Sequence, residues 1–211
     1  MQGASFSILG DSYSTFAGYI PEGNACYYPR PESVDDVLEA HQTWWHILSE
    51  RYGMHLLINN SYSGATVCTQ VRETQPKEAS YVVRAQMSFG VPDGEKPDYI
   101  FVFGGTNDSW INRTIGCVQF ENWTEKDLEN VLPAYCFVLD TLIRRYPNTK
   151  IVSIINTELQ EEIAEGFLIA GKHYGVISVQ LRNIDKQNGH PSALGMQKIA
   201  QQVGVAIEGH M

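Results

Sequence analysis

The chain has 211 residues and a mass of 23.7 kDa, enough for one domain or at most two with a sizeable buried core. A composition of 43% apolar, 18% charged and 11% aromatic residues excludes a disordered, collagen-like or coiled-coil protein. The formal net charge of -9 argues against binding to nucleic acid or to an anionic membrane surface, because both need clustered Lys and Arg. A neutral or cationic small substrate, or an uncharged polymer such as a glycan, fits this charge better.

The cysteines and the first residues bear on the compartment of the protein. The four cysteines lack Cys-x-x-Cys spacing, so we expect buried free thiols in preference to disulfides, and no zinc or redox motif. They are Cys26, Cys68, Cys117 and Cys136. No apolar run approaches the roughly 18–20 residues that span a bilayer, so no membrane span is expected. The first residues lack signal-peptide features, which leaves a cytoplasmic protein or an exported one with its leader removed.

Apolar segments of two kinds alternate along the chain. Short β-rich runs predict strands over Ser5–Leu9, His55–Asn59, Tyr99–Phe103, Ile151–Ile155 and Val176–Val179. Longer segments with helical spacing predict helices over Val34–Tyr52, Lys126–Tyr146, Glu161–His173 and Ser192–Ile207. Because the strands are almost continuously apolar and alternate with helices, we expect one α/β domain over residues 1–211. Its three α/β/α layers would surround a mostly parallel, five-stranded, doubly wound sheet.

Two segments have neither the strand nor the helix periodicity, which predicts loops. Ala17–Ser33 is rich in Gly and Pro and reads as a long irregular loop, a type of segment that often carries substrate contacts. Val91–Asp98 is rich in Gly, Pro and charge and reads as a surface loop before the third strand. Thr124 followed by Asp127 resembles a helix capping box.

Polar blocks follow the predicted strands at the sheet edge where α/β proteins bind ligands. Gly10-Asp11-Ser12-Tyr13-Ser14 follows the first strand, and a loop containing Gly64 follows the second. Gly104-Gly105-Thr106-Asn107-Asp108 follows the third, and His190-Pro191 precedes the last helix. In this order, the four blocks resemble the SGNH, or GDSL-type, serine hydrolase family of esterases and lipases. The resemblance extends over almost the whole chain.

The resemblance implies a flavodoxin-like fold and a role for each block. Ser12 would be the nucleophile, which needs an adjacent base, and His190 would be that base. The oxyanion would be bound by the backbone N–H groups of Ser12 and Gly64 and by the side-chain amide of Asn107. Enzymes of this family need no metal or cofactor, and the sequence contains no metal-ligand or phosphate-binding motif. Asp11 and Asp108 are expected to brace the loops.

One position departs from the family pattern. The family usually has an Asp three residues before the His, and here that residue is Gln187. An amide oxygen accepts the same hydrogen bond but brings no negative charge. Three explanations stay open: Gln187 orients His190, Asp185 reaches it, or a backbone carbonyl completes a Ser-His dyad. A fourth is that activity has been lost and the fold retained for binding.

The favoured function is a serine esterase acting on small acyl esters, with O-acetylated carbohydrate as the expected substrate class. The alternatives are a catalytically impaired module that binds glycans, and a lipase or thioesterase acting on other acyl esters. Aromatic residues in presumed loops would suit stacking on sugar rings or would pack locally. They are Tyr13, Phe16, Tyr19, Tyr27, Tyr28, Tyr62, Trp110 and Trp123. The oligomeric state is left open.

Overall fold

A computed structural model describes residues 2–91 and 94–210. Its main sheet consists of β1 (Ser5–Gly10), β2 (His55–Ser61), β3 (Tyr99–Gly104), β4 (Lys150–Ile155) and β5 (Ile177–Gln180). All five strands run parallel, in the order β2-β1-β3-β4-β5. The five predicted strands and the parallel sheet are therefore confirmed. The carboxyl ends of β2, β1 and β3 are neighbours, so the loops that follow these strands meet at one edge.

The helices lie between the strands in sequence. They are α1 (Trp44–Tyr52), α2 (Tyr81–Arg84), α3 (Thr106–Trp110), α4 (Val131–Arg145), α5 (Glu161–Tyr174) and α6 (Ala193–Glu208). The predictions for α5 and α6 are correct to within one residue at each end. Ser192 caps α6, since its hydroxyl accepts a hydrogen bond from the Gly195 N–H at 3.1 Å. The short helices α2 and α3 were not predicted.

Side chains of successive strand residues enter two different cores. Ile100 and Val102 of β3 belong to the core that contains α4 and α5. Phe101 and Phe103 of the same strand belong to the core that contains α1 and α6. This alternation is the period of a strand buried on both faces, and it gives the expected three-layer α/β/α arrangement. No helix of the described residues is long and apolar enough to cross a membrane.

The predicted start of the first helix is wrong. The segment 34–39 is irregular, a 3₁₀ turn covers Ala40–Gln42, and α1 begins only after its N-cap Thr43. The Gln42 side-chain oxygen accepts the backbone N–H groups of Leu38 and Glu39 at 2.8 Å each. These side-chain bonds hold the preceding backbone in a non-helical path. The C-terminal boundary at Gly53, which has a φ of 60°, agrees with the prediction.

The predicted start of the helix at Lys126 is also wrong. A 3₁₀ turn covers Asp127–Glu129, and α4 begins after Asn130, whose ψ of 146° is extended. The capping-box contacts exist, since the Asp127 carboxylate accepts from the Thr124 N–H at 2.8 Å, but they close this turn and not the helix.

The cysteine and loop predictions have mixed outcomes. All four cysteines are free thiols, as expected, but Cys26 and Cys117 are exposed where burial was predicted. The segment 17–33 is an irregular loop, as predicted. The predicted loop Val91–Asp98 is irregular where it is described, and its Pro92 and Asp93 lie outside the described residues.

Candidate active site

Ser12 lies directly after β1 in a 3₁₀ turn, Ser12–Ser14. The Asp11 carboxylate caps this turn by accepting the Tyr13 N–H at 3.0 Å, so the Ser12 hydroxyl is not used as a cap. The Ser14 carbonyl fixes the far end of the turn, because it accepts from Trp45 Nε1 at 3.0 Å and from Asn59 Nδ2 at 2.8 Å. These bonds fix the backbone of the turn at Ser12. They leave the Ser12 hydroxyl free to bond to another side chain.

Ser12 and His190 contact each other although 178 positions separate them in sequence. Ser12 Oγ is 2.9 Å from His190 Nε2, and His190 Nδ1 is 3.1 Å from the backbone oxygen of Asn188. A carbonyl oxygen only accepts hydrogen bonds, so Nδ1 carries the proton in this pair. In the neutral ring, Nε2 then has the free lone pair that accepts the Ser12 hydroxyl proton. This is the tautomer that a general base needs.

Neither side chain that the sequence offered as a partner hydrogen-bonds to His190. The Gln187 side-chain oxygen accepts the Asp36 N–H at 3.1 Å, and the Asp185 carboxylate accepts the Ser192 hydroxyl. Of the three arrangements left open by the sequence, the structure therefore has the backbone carbonyl at Nδ1.

A β-hairpin orients the Asn188 carbonyl toward His190 Nδ1. Its strands, β6 (Lys186–Gln187) and β7 (His190–Pro191), are antiparallel and joined by Asn188 and Gly189 alone. Both loop residues have positive φ, 49° and 76°, which defines the type I′ turn that Asn-Gly favours. The Asn-Gly dipeptide therefore indicates this hairpin from the sequence alone, although the hairpin was not predicted. The hairpin is anchored where the Tyr13 hydroxyl donates to the Gly189 carbonyl at 2.6 Å.

Asn107 is in the first turn of α3, and one end of its side-chain amide has no hydrogen-bond partner among the described residues. Its Oδ1 accepts a hydrogen bond from Arg72 Nη2 at 3.3 Å, whereas its buried Nδ2 has no partner among the described residues. A guanidinium only donates, so Arg72 fixes which end of the amide is the oxygen. The free end is a donor, the group that an oxyanion requires. No local sequence signal indicates Arg72, which lies 35 positions away.

Gly64 follows β2 in a conformation that suits glycine. Its φ is 83°, and a Cβ at this position would lie 2.5 Å from Gln75 Nε2. That side chain also donates to the Ser63 carbonyl at 3.1 Å, so it packs closely on the Gly64 backbone. A larger residue would strain the turn and displace its neighbour. Gly64, Ser12 and Asn107 thus follow the carboxyl ends of three adjacent strands.

The two aspartates brace loops, as expected. The Asp108 carboxylate accepts the Val67 N–H at 3.0 and 2.8 Å and the Cys68 N–H at 3.3 Å, which ties the loop after β2 to α3. Burial raises the pKa of Asp108, and it raises the pKa of Asp11 to about 7. These groups stabilise the loop backbone and do not contact the Ser12 hydroxyl or the His190 ring.

A buried cation lies beneath the same loops. Arg84 is 1% exposed, and its Nη1 donates to the carbonyls of Gly10 at 3.1 Å and Asn60 at 2.5 Å, at the ends of β1 and β2. Its Nε and Nη2 donate to the Ala79 carbonyl at 3.3 and 3.2 Å. Burial lowers the pKa of this guanidinium. Arg84 thereby connects the strand ends that carry Ser12 and Gly64.

His190 is 8% exposed and surrounded by aromatic rings. Tyr27 stacks on the imidazole, with ring centroids 3.5 Å apart and planes 11° apart, and Trp110 contacts it edge-on at 5.7 Å. Burial lowers the pKa of His190 to about 4, against the smaller opposing effect of the Asn188 carbonyl. The imidazole is therefore neutral, and able to accept a proton, at pH 7.

Most of the predicted loop aromatics pack locally. Tyr13, Phe16, Tyr28 and Tyr62 are buried, and the Trp123 Nε1 donates to the Gln119 carbonyl at 2.8 Å. Trp110 combines contact with His190 and 44% exposure. It is therefore the aromatic residue best placed to meet a substrate.

Comparisons with known proteins identify the family of the chain. Residues 4–207 match the family model of the GDSL-like lipases and acylhydrolases. No curated protein sequence matches the chain. A solved structure from Bacteroides uniformis, designated a GDSL-like lipase, is 41% identical, with a TM-score of 0.91, over 98% of this chain and 96% of that one. A second, from Bacteroides ovatus, is 38% identical with a TM-score of 0.90, over 99% of this chain and 100% of that one.

A more distant structure shares the fold alone. It is a family two carbohydrate esterase from Clostridium thermocellum in complex with cellohexaose, 13% identical, with a TM-score of 0.63, over 100% of this chain and 66% of that one. The fold and the family match define an α/β ester hydrolase. The chain belongs to the GDSL-like lipase/acylhydrolase family.

Proposed function

We propose that this enzyme is a Ser-His dyad esterase that removes small acyl groups, acetyl above all, from carbohydrate. The observation that carries the proposal is the 2.9 Å contact between Ser12 Oγ and His190 Nε2, with the Nδ1 proton directed at the Asn188 carbonyl. His190 takes the proton of the Ser12 hydroxyl as Oγ attacks the ester carbonyl, and it then returns that proton to the leaving alcohol. Water repeats the sequence on the acyl-enzyme and releases the acid.

The oxyanion that forms in each step is bound by the N–H groups of Ser12 and Gly64 and by Asn107 Nδ2. Within the described residues this Nδ2 has no hydrogen-bond partner, which supports the role, because a buried donor without a partner is costly unless a ligand uses it. Each donor of this kind contributes roughly 2.7–4 kcal/mol to transition-state stabilisation.

The preference for a small acyl group is supported by the crowding of the dyad. Ser12 and His190 are only 3% and 8% exposed. A short acyl chain needs little space beside them, whereas a long one would have to displace the packed aromatic rings. The carbohydrate preference is supported by Trp110, because exposed indole faces stack on sugar rings. The net charge of -9 also favours an uncharged glycan over an anionic one.

The proposal is tested by hydrolysis of p-nitrophenyl acetate, butyrate and octanoate, and by acetate release from acetylated cello-oligosaccharides and xylan. We expect the acetate ester to have the highest kcat/KM, and Ser12→Ala to abolish turnover. Ser88→Ala is the matched control, because that serine is exposed and, within the described residues, its hydroxyl bonds only to the Gly90 backbone. Equal rates for Ser12→Ala and wild type would refute the dyad. Preference for octanoate would instead support a lipase, and glycan binding without turnover a binding module.

A further inference from the structure

The dyad lacks a carboxylate on His190, yet a buried carboxylate lies one contact away. Asp35 is 5% exposed and sits in the irregular segment before α1. Its Oδ2 accepts hydrogen bonds from the Ser33 hydroxyl at 2.6 Å and from the Tyr27 hydroxyl at 3.2 Å. Its Oδ1 accepts from Asn188 Nδ2 at 3.4 Å. No sequence pattern indicates this residue, because 153 positions separate it from Asn188.

Two of these partners contact the imidazole directly. The Tyr27 ring stacks on His190 at 3.5 Å, and the Asn188 carbonyl lies 3.1 Å from Nδ1. A single carboxylate therefore holds both the residue that covers the ring face and the residue that accepts the Nδ1 proton. The side-chain amide of Asn188 is pulled toward Asp35 while its backbone oxygen faces His190.

Resting on the proposed function, we propose that Asp35 is a positioning residue that replaces the missing triad carboxylate, acting on His190 through Asn188 and Tyr27. Its charge stabilises the imidazolium that forms when Ser12 attacks, and its hydrogen bonds fix the carbonyl that selects the tautomer. Asp35 touches neither substrate nor the reacting atoms.

The charges around His190 support this assignment. Burial, the largest effect, lowers the pKa of His190, while the Asp35 carboxylate raises it and the cations Arg30 and Lys186 lower it. Lys186 is itself paired with Glu158 at 3.0 Å. Asp35 is thus the carboxylate that favours the protonated ring, and its removal leaves two cations opposing protonation.

The decisive variant is Asp35→Asn, which keeps the shape and removes the charge. We expect kcat for p-nitrophenyl acetate to fall roughly ten-fold with little change in KM, since the transition state carries the imidazolium and the ground state does not. Loss of a carboxylate lowers the His190 pKa, so the acid limb of the kcat/KM profile should move to lower pH. A merely structural role would not move that limb.

The matched control is Asp36→Asn. Asp36 carries the same charge one residue along, but it is exposed, and its carboxylate caps α6 by accepting the Ala193 N–H at 2.8 Å. An Asn accepts the same bond, so we expect wild-type kcat and an unshifted acid limb. Asn188→Gly is the second variant if Asp35→Asn does not fold. Glycine keeps the positive-φ turn and the carbonyl but loses the amide bond to Asp35, and it should lower kcat in the same direction.

Nitrogen-15 NMR titration of His190, identified by comparison with His190→Gln, measures its pKa without turnover. A lower His190 pKa in Asp35→Asn, with Asp36→Asn unchanged, supports the proposal. The proposal would be overturned if Asp35→Asn and Asp36→Asn both had the His190 pKa and the kcat of the wild-type protein. If the wild-type protein shows no Ser12-dependent hydrolysis, the proposed function fails, while the NMR comparison still decides whether Asp35 acts on His190.

Discussion

Replacement of Asn107 by Ala separates catalysis from stability at this site. The variant removes the amide whose Nδ2 has no partner among the described residues. If this amide binds the oxyanion, its loss costs roughly 2.7–4 kcal/mol of transition-state stabilisation, a fall in kcat of about 10² to 10³. Within the described part of the chain, the amide makes one hydrogen bond, the 3.3 Å bond that its Oδ1 accepts from Arg72. Because the donor of this bond is a charged guanidinium, the free energy of unfolding should fall by no more than about 3 kcal/mol.

The assay measures kcat on p-nitrophenyl acetate beside urea denaturation of the same preparations. Asn107→Asp is an informative companion, because it retains the pairing with Arg72 but places a negative charge where the oxyanion forms. It should be folded and at least as inactive as the Ala variant. Asn148→Ala controls for loss of an amide elsewhere, since Asn148 lines a cavity with Ala4, Tyr99 and Lys150 at the amino ends of the strands.

A kcat for Asn107→Ala within about five-fold of wild type, with the Ser12→Ala variant inactive, would refute the assignment of Asn107 to the oxyanion hole. So would a loss of activity that is fully matched by loss of folded protein, because oxyanion binding is an active-site effect in a folded enzyme.

Three further predictions follow from the same geometry. The base must be neutral, and burial lowers the His190 pKa to about 4, so kcat/KM should stay level from pH 7 to about pH 5 and fall by half near pH 4; a half-maximum near pH 6.5 would contradict this. Arg84→Met should lower the free energy of unfolding in urea by roughly 2–5 kcal/mol, since it removes the guanidinium donors from the buried carbonyls of Gly10, Asn60 and Ala79, of which Gly10 keeps the Tyr62 N–H at 3.2 Å; a wild-type midpoint would contradict it. Gly64→Ala should strain the turn by on the order of 1–2 kcal/mol, displace Gln75 and reduce kcat more than KM, whereas wild-type kcat would show that this N–H is not used.

The helix boundaries show where local pattern stops being sufficient. The apolar spacing of 34–52 predicts one helix, but only its second half is helical. The first half is held by bonds that the pattern does not contain. The Gln42 side-chain oxygen accepts two nearby backbone N–H groups, and the Asp35 carboxylate accepts from Asn188 Nδ2. Side-chain bonds to the backbone and distant contacts compete with helical hydrogen bonds, and in this segment they keep the backbone out of the helical conformation.

The features of the site likewise fall into those that the sequence predicts and those that only the structure shows. The sequence predicts Ser12, Gly64, Asn107 and His190 as site residues, because each follows or precedes a regular element in a short recognisable block. The turn that presents the Asn188 carbonyl could also have been predicted, since Asn-Gly between two short strands favours a type I′ turn.

By itself, the sequence determined the five parallel strands, the three layers and the family, because periodicity and motif order are written in neighbouring residues. Only the tertiary structure decided what supports the dyad. In the folded chain, the Gln187 and Asp185 side chains bond to Asp36 and Ser192 instead of His190. Asp35 accepts hydrogen bonds from Tyr27 and Asn188, and Arg72 donates to Asn107. The physical reason is that a hydrogen bond depends on distance in space, and these partners meet only after the chain has packed.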